Sequence, residues 1–449
     1  MTLNASFVKV PITPPIGLRL GGFAHRMASP SRFIHSDLYA RVLLASSRMG
    51  ELALVQLDLL GLYSSDVELI RGIVSKRLGI KAGDVVVMAT HTHSSPETVI
   101  PMWVNTFPYT REEGALYSQW FNGLLSRLEE SLEGGPIHEP KGVRVKVGEL
   151  EAAESGRLCV SRLTGDHVNV NIQVVLIEAR NGLGRVILYS HPCHPTCNMD
   201  LGVSPDYPGE VHSALTSSGI EPIFMPGFMG DVTPSVRGTN CMSNLGNSIS
   251  RAILDGMAKL SGVNSDEVWV RVKRVNVPLR QPPPLARAKV RFEELYSRAN
   301  ELGLIRREPI EDLWRGLNER WVRDRESVLK AKLLLDLLYA DEEYELAKGN
   351  AEWETAELGV VKLGNITMVT VPGEPFTGTL NTIKAGLSGK ASGASMNVIG
   401  VGYANGYIGY IPTREAFRLG SYETRLARWS RVAEGTDDLI TSEILSLLA

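Results

Sequence analysis

Four of the nine histidines of this 449-residue chain fall in two short segments, His91 and His93 in A-T-H-T-H-S-S-P and His191 and His194 in S-H-P-C-H-P-T-C. A neutral imidazole is both a common ligand for a catalytic divalent metal and the usual group for moving a proton at neutral pH. Each segment follows an apolar, β-branched run, Val85 to Thr90 and Val186 to Ser190, and carries proline close behind its histidines. This pattern places the imidazoles at strand ends and is expected to deliver them to one edge of a sheet, where open α/β folds hold their chemistry. His91 and His93 are two residues apart, so an extended segment points both to the same side. A lone histidine at a strand end is more often a hydrogen-bonded structural residue. Neither segment makes a site without further ligands.

The elements that must position them alternate between strand and helix over the first 260 residues. Strands are expected at Tyr39–Ala45, Leu52–Leu60, Val85–Thr90, Val174–Ala179, Val186–Ser190 and Ile223–Met225. Helices are expected at Ser65–Leu78 (capped by Ser64 or Ser65), Glu113–Leu132, Tyr207–Ser218 and Asn244–Leu260. Strand signals return at Val360–Leu363, Ile366–Val371 and Met396–Val401, and the simplest expectation is that they complete the same sheet. Between them, residues 283–350 are charged and of helical period, including Leu313–Tyr339. The expectation is an α/β fold, with a mixed β-sheet flanked by helices and the active site at strand ends. The chain reads as a single domain over 1–449, with 283–350 as a helical insertion that either covers the pocket mouth or makes an oligomer contact.

Hydrophobic content of 43%, charged content of 22% and a net charge of −3 are ordinary for a globular protein. They offer no electrostatic case for nucleic-acid or anionic-membrane binding. No run approaches the length of a transmembrane helix, and the N-terminus lacks the pattern of a signal peptide, so a cytoplasmic location is expected. The four cysteines, Cys159, Cys193, Cys197 and Cys241, are expected to be buried free thiols rather than disulfides or a structural zinc knuckle.

Seven segments in order carry a family resemblance: I-T-P-P-I-G with L-G-G-F, A-T-H-T-H-S-S-P, C-H-P-T, S-P-D-Y-P-G, G-F-M-G-D-V-T-P, V-P-G-E-P-F and A-N-G-Y-I-G-Y-I-P-T-R-E. Running from residue 12 to about residue 415, they make the chain resemble the catalytic domain of the neutral/alkaline ceramidases. No counterpart of that family's C-terminal immunoglobulin-like domain is expected. The resemblance implies one zinc ion held by His91, His194, Glu374 and Tyr410. Two imidazoles and a carboxylate make independent sense as an open catalytic triad of ligands. His191 competes with His194, Tyr403 and Tyr407 compete with Tyr410, and Glu374 could instead cap a following helix. The resemblance also implies Arg162 near the substrate's polar head, Tyr422 as a donor to the tetrahedral oxygen, and a catalytic hydroxyl in the G-D-V-T-P turn. His93 is expected in the same pocket as a proton carrier.

That turn departs from the family, which has serine and then asparagine where this chain has Thr233 and Ser235. The threonine keeps a hydroxyl and adds a methyl group. Asp231 is expected either to orient an imidazole or to close an Asx-turn, and Gly227 and Gly230 to let backbone approach the site. The implied activity is zinc-dependent hydrolysis of a linear amide, most concretely an N-acyl amide of ceramide type in sphingolipid metabolism. The alternatives are a zinc hydrolase of a small soluble amide or ester and a non-catalytic binding protein that retains the fold. The expected partner is a small-molecule or lipid amide substrate, with homo-oligomerisation left open.

Overall fold

The computed structural model describes residues 3–152, 155–180, 184–310, 313, 325–388 and 397–449. Among these, a nine-stranded mixed sheet runs in the order Glu221–Phe224, Arg185–Ser190, Ile172–Ala179, Lys141–Leu150, Leu3–Pro11, Tyr39–Ser46, Glu51–Leu57, Val85–Ala89, with Ser261–Gly262 added beside Lys141–Leu150. The pairs at its two ends are parallel and those in the middle antiparallel. The apolar runs of the sequence are strands, as expected. Leu3–Pro11 and Lys141–Leu150 join them at the centre, although charged and polar residues interrupt both. In K-G-V-R-V-K-V the valines at 143, 145 and 147 are buried and the residues between them are not, the period-2 signature of a strand with one face covered.

The returning strands do not complete this sheet. Val268–Pro278, Trp353–Leu363, Ile366–Thr370 and Asn397–Val401 form a separate four-stranded sheet. Its inner face, through Val361, Met368 and Ile399, packs on Leu54, Val86, Met88, Val175 and Ile177 of the large sheet. Two apolar faces bury more surface against each other than further edge-to-edge pairing would. The opposite face of the large sheet carries helices Ser64–Leu78 and Arg111–Ser131 over one half and Tyr207–Ser217 and Thr239–Gly256 over the other. Ser64 opens the first helix and Tyr63 is its N-cap, in place of the serine cap expected. Thr110 and Glu113 cap Arg111–Ser131 reciprocally, a capping box.

The strand that leads to His91 is at one end of the large sheet, and the strand that leads to His191 is next to the other end. The histidines therefore follow strands near opposite ends of the strand order. The turn after Asn397–Val401 reconciles this. Gly402 N donates to Pro226 O (2.8 Å), beyond one edge strand, while Ala89 N donates to Tyr403 O (3.1 Å) and Asn405 N to Val87 O (2.7 Å) at the other. One turn of the smaller sheet is thus bonded to both edges of the larger.

Residues 283–350 supply helices Leu285–Glu301 and Arg325–Ala347; the expected helix Leu313–Tyr339 lies partly outside the described residues. Leu334, Leu337, Leu338 and Tyr339 share a buried cluster with Met102, Trp103, Tyr410 and Trp429. No helix among the described residues is long and apolar enough to cross a membrane.

Cys197 and Cys241 form a disulfide, 44 residues apart in sequence, correcting the expectation of four free thiols; Cys159 and Cys193 remain buried thiols. The bond ties the segment after His194 to the start of helix Thr239–Gly256. By loop-closure entropy, replacing both cysteines with serine is expected to cost about 2–4 kcal/mol of unfolding free energy in urea titrations. An unchanged midpoint would show that the link contributes nothing.

Candidate metal centre

His91 follows its strand in a left-handed backbone conformation (φ 63°), with its N–H on Leu59 O at 2.9 Å. Such a conformation is costly for a non-glycine residue and is characteristically retained where function needs it. It turns the ring so that Nδ1 meets Leu60 O at 2.7 Å. His194 Nδ1 likewise meets Val232 O at 2.9 Å. A carbonyl oxygen can only accept, so both rings carry their proton on Nδ1 and turn a bare Nε2 inward. Glu374 sits in a two-residue strand paired in parallel with Tyr410–Ile411, and its N–H donates to Gly409 O (2.9 Å).

Glu374 Oε2 lies 2.9 Å from His194 Nε2 and 3.4 Å from His91 Nε2. The donor atoms of His91, His194 and Glu374 all fall within 4.8 Å of one another, and all three residues are buried. Lone pairs of two imidazoles thus face a carboxylate oxygen, an arrangement that repels unless a positive species lies among them. Burial lowers the His194 pKa to about 4, against the pull of Glu374, so a shared proton is a poor candidate at neutral pH. Burial alone would raise the Glu374 carboxyl, but His91 and His194 hold it well below its ordinary value, leaving a carboxylate. Two neutral imidazoles and one carboxylate are the donor set a divalent cation such as zinc takes.

The Tyr403 hydroxyl donates to Glu374 Oε2 (3.2 Å) and the Tyr407 hydroxyl to Oε1. The Tyr410 hydroxyl does not bond Glu374; it accepts from Arg162 Nη1 at 3.0 Å. Arg162 Nε is also 2.7 Å from the Glu423 carboxylate, and its guanidinium stands 5.6 and 5.3 Å from the ring centres of Tyr410 and Tyr422. Beside the three donors opens a narrow cleft, with an interior of about 30 Å³, walled by Leu60, Val99, Ile100, Met102 and Trp429, with His93, Tyr407, Tyr410 and Tyr422 also facing it.

His93 Nε2 is 3.2 Å from His91 Nε2. Because the latter is bare, His93 must carry its proton on Nε2. Its Nδ1 is buried without a hydrogen-bond partner among the described residues. Burial, with His91 and His194 nearby, lowers its pKa well below the ordinary value. Gly22 sits against this ring: at φ 82°, a Cβ there would fall 2.3 Å from Nδ1. Gly22→Ala is therefore expected to displace His93; if the three donors hold a metal and the site is catalytic, turnover should fall about a hundredfold with metal content unchanged, as metal analysis beside steady-state kinetics would show.

Thr233 is half-buried on a short strand paired with Cys159–Ser161; its hydroxyl accepts from Arg237 Nη2 (2.7 Å) and lies 3.3 Å from that of Thr196. The G-D-V-T-P turn meets the imidazole of His194 through the carbonyl of Val232. Asp231 accepts from Thr377 N and Oγ1 (2.7 Å each), at the start of helix Thr377–Ser388, and orients no imidazole. Gly230 does allow a close approach, since a Cβ there would lie 2.4 Å from Glu374 O. His191 is fully buried, does not join the three donors, and has neither ring nitrogen bonded among the described residues.

The apolar wall has no motif of its own in the sequence. Val99, Ile100 and Met102 follow directly on H-T-H-S-S-P, and Leu60 ends its own apolar run, so their proximity to His91 was the available signal. Trp429 carried none, because it reaches the cleft only through the pairing of Tyr410 N with its carbonyl (2.8 Å).

No protein-family profile matches the chain, and no curated protein matches it by sequence. Among solved structures, the chain is similar to the neutral ceramidase of Pseudomonas aeruginosa, with a TM-score of 0.72 and 17% identity, over 99% of this chain and 74% of that one. A second structure, described as ceramidase complexed with C2, matches with a TM-score of 0.71 and 15% identity over the same shares. At this identity the likeness is one of fold, and the chain has the fold of the neutral ceramidases.

Proposed function

We propose that the chain is a zinc-dependent hydrolase of a linear amide, most concretely an N-acyl amide of ceramide type, and that the whole chain acts as one catalytic unit. The observation that carries this reading is the buried trio of donors, with both imidazoles committed through Nδ1 to carbonyls and free at Nε2. The likeness of fold to ceramidases supports the reaction class.

Zinc, when bound, supplies Lewis-acid polarisation of a carbonyl and lowers the pKa of a water toward neutrality. His91, His194 and Glu374 would hold it, with Tyr410 as a fourth donor whose phenol is already turned toward the Arg162 cation. Tyr403 and Tyr407 fix the two oxygens of Glu374, so that the carboxylate cannot rotate out of place. With the His91 lone pair given to a metal, His93 would no longer donate to it, and its Nε2, at the reaction zone, would take the proton released by the attacking water and pass it to the leaving amine. The Tyr422 hydroxyl is the donor for the developing oxyanion, and Arg162 binds a polar group of the substrate. Thr233, held by Arg237, is assigned to substrate positioning rather than to nucleophilic attack.

The narrowness of the cleft favours a second reading, a small soluble amide or ester, because its interior of about 30 Å³ is far below the range of small-molecule sites. Metal analysis of the purified protein, followed by hydrolysis of a fluorescent N-acyl-sphingosine beside short-chain amides and esters, tests both. Turnover of the short substrates alone would decide for the second reading. A protein that takes up no zinc and cleaves none of them would end the proposal.

A further inference from the structure

The cleft wall nearest the metal centre contains a strained residue that the proposed reaction does not use. Ile100 faces the cleft with φ 43°, a backbone conformation that a β-branched residue almost never adopts. Trp103, three residues on, is also left-handed at φ 62°. Strain of this kind persists only where the surroundings over-determine it, and here they do. Ile100 N donates to the Tyr63 hydroxyl (2.7 Å) and Met102 N to Glu97 Oε1 (3.2 Å). Arg428 Nη2 donates to Pro101 O (2.5 Å), and the buried Glu342 grips Arg428 through three further hydrogen bonds. Asp341, next to it on helix Arg325–Ala347, accepts from Asn105 N (3.2 Å) and Thr106 N (2.8 Å). Two consecutive, fully buried carboxylates of the helical segment thus hold the backbone of this wall, one through Arg428 at Pro101 and the other directly at the residues that follow it, Asn105 and Thr106.

We propose that Ile100 is a specificity-determining residue, its side chain held in the cleft by this clamped backbone to limit the bulk of the group that can lie beside the metal centre. The class admitted is slender, short or unbranched; the class excluded is aryl or branched. This rests on the metal reading of the site, because it takes the metal to be where the substrate reacts.

The test compares the full-length zinc-loaded wild type with Ile100→Ala and Ile100→Gly, using calorimetric binding of acetohydroxamate and benzohydroxamate and thermal melting of each protein. Removing the branched side chain is expected to raise affinity for benzohydroxamate over acetohydroxamate by at least about tenfold in both variants, the scale of a single methylene in an apolar pocket. Ile100→Gly should melt no lower than Ile100→Ala, although glycine ordinarily costs stability, because only glycine relieves the left-handed backbone. An unchanged affinity ratio, or a glycine variant that melts below the alanine variant, overturns the proposal. If the wild type takes up no zinc, the metal reading fails by itself, and the melting comparison, which needs no metal, still decides the strain on which Ile100 depends.

Discussion

If the centre holds zinc and hydrolyses an amide as proposed, His194→Ala is expected to release the metal and lower turnover on the order of a thousandfold or more, the scale set by losing the main electrostatic stabiliser of an acyl-transfer site. The residue is fully buried, and its Nε2 is the nearest imidazole nitrogen to the Glu374 carboxylate. Without it, one imidazole, one carboxylate and the Tyr410 phenol remain, and a phenol that also accepts from Arg162 is a poor replacement for an imidazole donor. His191→Ala is the informative companion. It lies three residues away, equally buried, with neither nitrogen engaged, so its loss should lower stability through the cavity left behind while zinc stays bound. Metal content and kinetics of the two variants separate the roles. A zinc-replete, active His194→Ala protein would refute the assignment.

Arg428→Ala is expected to be the most destabilising single exchange, at about 3–5 kcal/mol in denaturant unfolding at neutral pH. It strips the buried Glu342 carboxylate of its cation and leaves Asp341 as its neighbour. Burial already raises the Glu342 pKa above its ordinary 4.5, and Arg428 is the main influence holding it down. A carboxyl whose folded pKa is raised adds stability below its unfolded pKa and loses it as pH rises through the folded value. Removing Arg428 raises the folded value further, so the deficit should be largest at pH 7 and shrink as pH falls toward 4.5 and Glu342 takes up a proton. A deficit that does not change between these conditions would show that lost packing, not an uncompensated charge, sets the cost.

The sequence pattern carried much of this architecture where the period was clean. Val85–Ala89, apolar throughout, and Arg185–Ser190, apolar from Val186 to Tyr189, were legible as strands, and His91, His194 and Glu374 were legible as candidate donors. What it did not carry was long-range pairing. Val268–Pro278 alternates in two halves whose phase shifts at Lys273–Arg274, and nothing local says that its partner is Trp353–Leu363 or that the pair belongs to a second sheet. Cys197 and Cys241 bear no mark of their bond, which depends on helix Thr239–Gly256 docking beside the segment after His194. Of three tyrosines that competed for one role, geometry divides the work: Tyr403 and Tyr407 bond the carboxylate, and Tyr410 meets Arg162. Spacing alone could not separate them, because their side-chain directions follow from left-handed turns at Tyr403 and Asn405.

The turn from Gly402 to Asn405, bonded to both edges of the large sheet, also sets a timetable for the growing chain. Glu374 follows His194 by 180 residues, and the turn that stitches the edges together comes later still. During synthesis at roughly 5–20 residues per second, a ribosome-bound chain presents both histidines well before their carboxylate partner emerges. Closing so long a loop costs little more than closing a shorter one, so the delay is topological rather than energetic. Cofactor capture should therefore be a late event that reports the docking of the two sheets, and nascent chains halted before Glu374 should emerge metal-free.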